Sequence, residues 1–125
     1  MNFNKAKIVT EIVTIPRKMH SEDKSPFALL KETGYFELHD QISVDDICDA
    51  LVRDPKCVQE WLQYVDDQRC SSSWYFVLND DGLYEVGFFD SKTNPAHSNQ
   101  VLYENAVNAC AAFIKHEIES MRSDK

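Results

Sequence analysis

Three glycines and four prolines in 125 residues leave little room for loop-built chemistry. Gly34, Gly82 and Gly87 stand in separate segments, so no glycine-rich phosphate-binding loop can form. Cys48, Cys57, Cys70 and Cys110 include no Cys-x-x-Cys pair, the usual mark of a zinc site or a redox dithiol. Four free thiols acting as small hydrophobes are expected. No run of about 18 apolar residues is present, which argues against a membrane-spanning helix. From Met1 to Glu11 charge interrupts the apolar residues before any signal-peptide run of about 7 to 15 can build. The expected location is the cytosol.

Positive charge is scarce where negative charge is dense. Between Glu37 and Asp90 thirteen acids face only Arg53, Lys56 and Arg69, a local balance of −10. The segment before it carries +2 and the segment after it is neutral, so the middle accounts for the whole-chain charge of −8. A field of one sign over a domain face repels nucleic acid and anionic membrane and draws cationic partners. A basic protein is the expected partner, with no direct nucleic-acid or membrane binding.

The chain has the length of one domain, and its 43% hydrophobic and 27% charged residues make wholesale disorder improbable. Residues 1–125 are therefore read as a single domain. Ile8, Val9, Ile12 and Val13 line one helical face over residues 4–15, and Pro16 ends that run. The β-branched stretch there also suits a strand, but the spacing favours helix. Ser25 caps a helix with Pro26 at its first position and Gly34 at its stop. Ser43 caps the next, with Asp46 completing a capping box, Ile42 and Ile47 forming a staple, and Val44, Ile47, Cys48 and Leu51 as the buried stripe. Asp54-Pro55 separates it from an amphipathic helix carrying Val58, Trp61, Leu62 and Val65.

After Cys70 the period changes from helical to alternating. Trp74–Leu78 and Leu83–Phe89 read as strands joined by the turn Asn79-Asp80-Asp81-Gly82. Tyr84, Val86 and Phe88 share one face; Glu85, Gly87 and Phe89 share the other. Asp90–Gln100 is polar, contains Pro95 and is read as a loop. A long helix is expected from about Val101 to Met121. The predicted fold is α+β: N-terminal helices, then an antiparallel β-hairpin packed on a long C-terminal helix.

No catalytic residue, cofactor or metal site emerges. His116 lacks a second histidine four residues away, and the Asn79–Gly82 segment has its glycine too early for a calcium loop. His97, in the predicted loop, is the best candidate for a functional histidine, but nothing in sequence supplies the second group that catalysis needs. Of the acidic pairs, Asp45 and Asp46, followed by Asp49, suit a helix N-terminus. Asp66 and Asp67 sit near a helix C-terminus, where the dipole disfavours them, and Asp80 and Asp81 sit in a turn. These seven carboxylates are the candidate partner-binding groups. Trp74 and Tyr75 point to opposite faces of their strand, so either can anchor an interface if the other joins the core.

Trp74-Tyr75-Phe76-Val77, Gly82-Leu83-Tyr84-Glu85-Val86-Gly87-Phe88-Phe89-Asp90, His97 and Ala109–Ile118 together resemble the immunity proteins of bacterial contact-dependent growth inhibition systems. The resemblance spans residues 74–121 and has no counterpart before Cys70. It implies a non-enzymatic cytosolic protein that neutralises a cognate toxin domain, frequently a nuclease with a basic active site. It carries over no catalytic residues. Two other readings are a small enzyme or ligand-binding domain around the His97 loop, and an adaptor whose acidic face docks on a basic protein unrelated to toxins.

Overall fold

A computed structural model describes residues 5–67, 72–93 and 97–123. Its first half is helical. Helix α1 (Lys5–Val13) buries Ile8, Val9, Ile12 and Val13, as the spacing predicts. Pro16 does not simply end it: α2 (Ile15–Glu22) starts two residues later and holds Pro16 in its first turn, where no backbone donor is needed. Helix α3 (Pro26–Thr33) is capped by Ser25 and stopped by Gly34 at φ 90°, a left-handed position that glycine fills without strain. A short α4 (Tyr35–Leu38) and a 3-10 turn (His39–Gln41) follow.

Helix α5 (Val44–Arg53) has the predicted capping box: Ser43 Oγ accepts from the Asp46 amide and Asp46 accepts from the Ser43 amide. Ile42 and Ile47 are both buried, as a staple requires, whereas Val44 is exposed rather than part of the stripe. Helix α6 (Lys56–Asp67) turns Val58, Trp61 and Tyr64 inward.

The hairpin is part of a larger sheet. Strands β1 (Ser72–Leu78), β2 (Tyr84–Asp90) and β3 (His97–Tyr103) form an antiparallel sheet in the order β1-β2-β3. Residues 97–100, expected in a loop, and Val101 and Leu102, expected in the helix, therefore belong to an edge strand. Helix α7 (Ala106–Ser123) begins later because Asn105 caps it, its Oδ1 accepting from the Val107 and Asn108 amides at 2.7 and 3.2 Å. Helix α7 covers one face of the sheet and also packs on α5, while α6 flanks β1. The α+β class and the sheet packed on the terminal helix match the sequence reading.

The core joins both halves. Trp61, Phe76 and Phe113 are fully buried, with Tyr64 beside them. The Trp61 indole donates to the Val13 carbonyl at 2.9 Å, which keeps its polar edge satisfied. Tyr64 donates to Glu117 on α7 at 2.6 Å. Lys115 uses its ammonium as a clasp, donating to the Tyr35 hydroxyl and to the carbonyls of His39 and Ile42 at 2.9, 3.0 and 2.7 Å. Arg17 ties α2 to α6 through Glu60 and to the end of α5 through Asp54. Cys48, Cys57 and Cys110 are free thiols, and burial pushes each thiol pKa upward; Cys70 lies outside the described residues.

Candidate functional site

Strand alternation divides the sheet residues between two environments. Trp74, Phe76, Tyr84, Val86 and Phe88 face α7, where Trp74 stacks on His116 with ring centroids 3.9 Å apart. Ser73, Tyr75, Val77, Glu85, Gly87 and Phe89 face the other way. Leu102, opposite Glu85, joins this second face from β3. Helix α6 runs along its β1 side and adds Leu62, Gln63, Val65 and Asp66. The result is an open trough of about 670 Å³ between α6 and the outer face of β1 and β2.

Its floor is largely apolar. Val77 and Leu78 line it and are 40% and 56% exposed; Leu102, on the same sheet face but outside the trough lining, is 53% exposed. Adjacent exposed apolar side chains rimmed by polar groups mark interaction surfaces more often than isolated ones do.

One polar device stands on this floor. Tyr75 lies opposite Gly87, and a Cβ on Gly87 would sit 2.7 Å from the Tyr75 hydroxyl oxygen. The missing side chain lets the phenol lean across β2 and donate to Glu85 Oε2. Gln100 Nε2 donates to the same oxygen at 3.0 Å, fixing the carboxylate from the β3 side. Burial, followed by the bond to Glu85, pushes the Tyr75 pKa up to about 12. The phenol therefore stays protonated and remains a donor at neutral pH.

The predicted acidic residues divide into three groups. Asp66 lines the trough together with Glu85. Asp67 ends α6, and its side chain lies outside the described ones. Asp80 and Asp81 are exposed in the turn that follows β1, closed by Asn79, whose Oδ1 accepts from the Asp81 and Leu83 amides at 3.0 Å each. Asp45, Asp46 and Asp49 stand on α5, which packs on α7 and α1, and none of the three lines the trough. Asp46 is occupied by its own capping box and by Lys5 at 3.4 Å. The ammonium of Lys5 and the Ser43 hydrogen bonds, the backbone one foremost, hold its carboxyl below the usual range.

Trp74 and Tyr75 lie on opposite faces, with Trp74 toward α7 and Tyr75 in the trough. Of the trough residues, the sequence reading marks Tyr75 and Asp66 as candidate binding groups but not Glu85, Gln63 or Phe89. Counting back from a four-residue turn Asn79–Gly82 pairs Leu78 with Leu83 and Tyr75 with Val86; the strands instead pair Leu78 with Tyr84, and that one-residue difference puts Tyr75 opposite Gly87 and beside Glu85. His97 pairs with Phe89 on the strand rather than lying in a loop; its side chain lies outside the described ones.

Among the described residues no three or more His, Cys, Asp or Glu side chains converge on a metal-sized site. No described helix is long and apolar enough to cross a membrane. No protein-family model, curated protein or solved structure matches the chain.

Proposed function

We propose that this chain is a non-enzymatic immunity-type inhibitor that acts in the cytosol by binding and neutralising a basic toxin domain, of nuclease type. The observation that carries the reading is the trough: an exposed apolar floor set beside Asp66 and Glu85, within a segment carrying −10. A surface that combines desolvatable apolar area with fixed negative charge suits a protein partner that presents cations. The resemblance of residues 74–121 to contact-dependent growth inhibition immunity proteins points to the same class of partner. An acidic inhibitor on a phosphate-binding cleft shuts out nucleic acid by occupying the cationic groups that would hold phosphates.

The test is co-expression with the product of the adjacent upstream gene. A one-to-one complex is expected, with an association rate that falls steeply as salt rises from low to physiological strength. Cells producing the toxin domain should survive only when this chain is present. Failure to associate at any ionic strength removes the proposal.

A further inference from the structure

The proposed function leaves open which acidic surface does the gripping, and the groups differ in where the fold places them. Asp46 is committed to the N-terminus of α5 and to Lys5, and Asp45 and Asp49 flank it on the same helix, outside the trough lining. A solvated helix face of this sort contributes to steering but offers no shape to recognise. The trough offers both.

Its outline also limits the occupant. On β1 the lining runs from Ser73 to Leu78, with Ser73, Tyr75 and Val77 on the outer face and Phe76 and Leu78 bordering the trough from the other side of the strand. A strand of that length runs for about 20 Å. This is long for a compact small molecule and matches an extended stretch of polypeptide. The carboxylates are Asp66 on the α6 wall and Glu85 on the sheet, and no described lysine or arginine joins the lining. Exposed Val77, opposite Glu85, provides apolar contact on the outer face, and exposed Leu78 borders the trough at the end of the strand. Glu85 is already held by Tyr75 and Gln100 over the space that Gly87 leaves, so its carboxylate does not have to be ordered at the moment of binding.

We infer that the α6–β1 trough is the grip of this protein, and that its occupant is an extended segment of the partner bearing a lysine or arginine beside an apolar residue. The cationic head is received by Asp66 and Glu85. The apolar neighbour lies on Val77 and Leu78, and the aliphatic stem of the cation covers Tyr75. This assignment rests on the proposed function for the partner's identity, but the trough can be tested without the toxin.

In the first arm, a blocked hexapeptide alternating arginine with leucine is titrated into the isotope-labelled protein, with a glutamate-leucine peptide of the same length as the control. The arginine peptide should bind with a dissociation constant on the order of a millimolar and shift amides of residues 62–66, 73–78 and 85–89. These shifts should be lost in the isosteric double variant Asp66→Asn, Glu85→Gln, whose melting temperature confirms that it is folded. Shifts confined to residues 44–53, equal shifts with the acidic peptide, or the same trough shifts produced by guanidinium ion alone overturn the inference, the last because it reveals a small-cation site.

In the second arm, the complex with the neighbouring gene product is measured for the same double variant and for Asp45→Asn, Asp49→Asn. A loss of tenfold or more, mainly in the dissociation rate, is expected for the trough variant, and less than about threefold for the α5 variant. A complex that forms with the reverse ranking overturns the trough and leaves the inhibitor reading intact. Absence of any complex, with peptide shifts still in the trough, overturns the inhibitor reading and leaves the trough assignment standing.

Discussion

Trp74 on β1 and His116 on α7 are stacked face to face, with their rings 9° from parallel and their centroids 3.9 Å apart. The pair fastens the start of the strand to the terminal helix. Burial lowers the His116 pKa, since desolvation disfavours the imidazolium. An imidazolium against an excited indole quenches its emission by accepting an electron, whereas neutral imidazole does so weakly. In a Trp61→Phe background, emission should fall on acidification with a midpoint below the ordinary histidine value of about 6.5. The step should vanish in His116→Gln. A midpoint above the ordinary value would mean that attraction between the imidazolium and the indole face outweighs desolvation.

Glu117 is a carboxylate held largely out of water, accepting from Tyr64 at 2.6 Å. Burial raises its pKa, and the tyrosine only partly offsets that. A carboxyl whose folded pKa lies above its unfolded value favours the fold when protonated. That contribution is complete below the unfolded pKa and is lost as pH rises through the folded one. Glu117→Gln keeps an acceptor for Tyr64 without the charge. Its melting temperature should exceed that of the parent by a few degrees at neutral pH, and the difference should shrink toward pH 4. An unchanged or lower value at neutral pH contradicts this account.

Lys115 illustrates the opposite case, a charge retained because its donors are all used. Removing the ammonium with Lys115→Met leaves the carbonyls of His39 and Ile42 and the Tyr35 hydroxyl without this donor. A cost of roughly 2 kcal/mol is expected in denaturant unfolding. Amide exchange should quicken first around residues 39–43, because the clasp joins that turn to α7.

Asp46 should separate structural from recognition acids. Asp46→Ala removes half of the capping box and should cost about 1 kcal/mol. Asp45→Asn and Asp49→Asn should stay within about 0.5 kcal/mol of the parent, as exposed substitutions do. The sign with pH is that of a depressed carboxyl: the stabilisation is present above the ordinary carboxylate range and disappears as pH falls through the lowered pKa. The acid side of the stability curve should therefore be shallower in Asp46→Ala.

Local chemistry made much of this fold legible. Ser25, Pro26 and Gly34 mark both ends of one helix, Ser43 and Asp46 start another, and Asn79–Gly82 marks the hairpin turn, though the strands pair one residue off the register that a four-residue loop gives. Each signal acts within a few residues, where side-chain chemistry decides geometry. Strand β3 was hidden because an edge strand needs only one neighbour and tolerates the polar His97-Ser98-Asn99-Gln100, while Val101 and Leu102 happen to extend the helical spacing of α7. The trough itself was not legible. It depends on α6 lying beside β1, a long-range packing choice that no local pattern encodes. The charge asymmetry pointed to the acidic segment but not to the difference between Asp46, bound within its own helix, and Asp66, set in a cavity.

The irregularity between Val86 and Phe88 and the left-handed Asn99 at φ 54° interrupt the β2–β3 ladder midway. A bulge of this kind bends and twists the outermost strand. Although Val101 and Leu102 are half exposed there, a foreign strand approaching the border meets only a short flat stretch before the ladder turns away from it. The same kink that complicates pairing inside the molecule thus shields it from runaway stacking into fibrils.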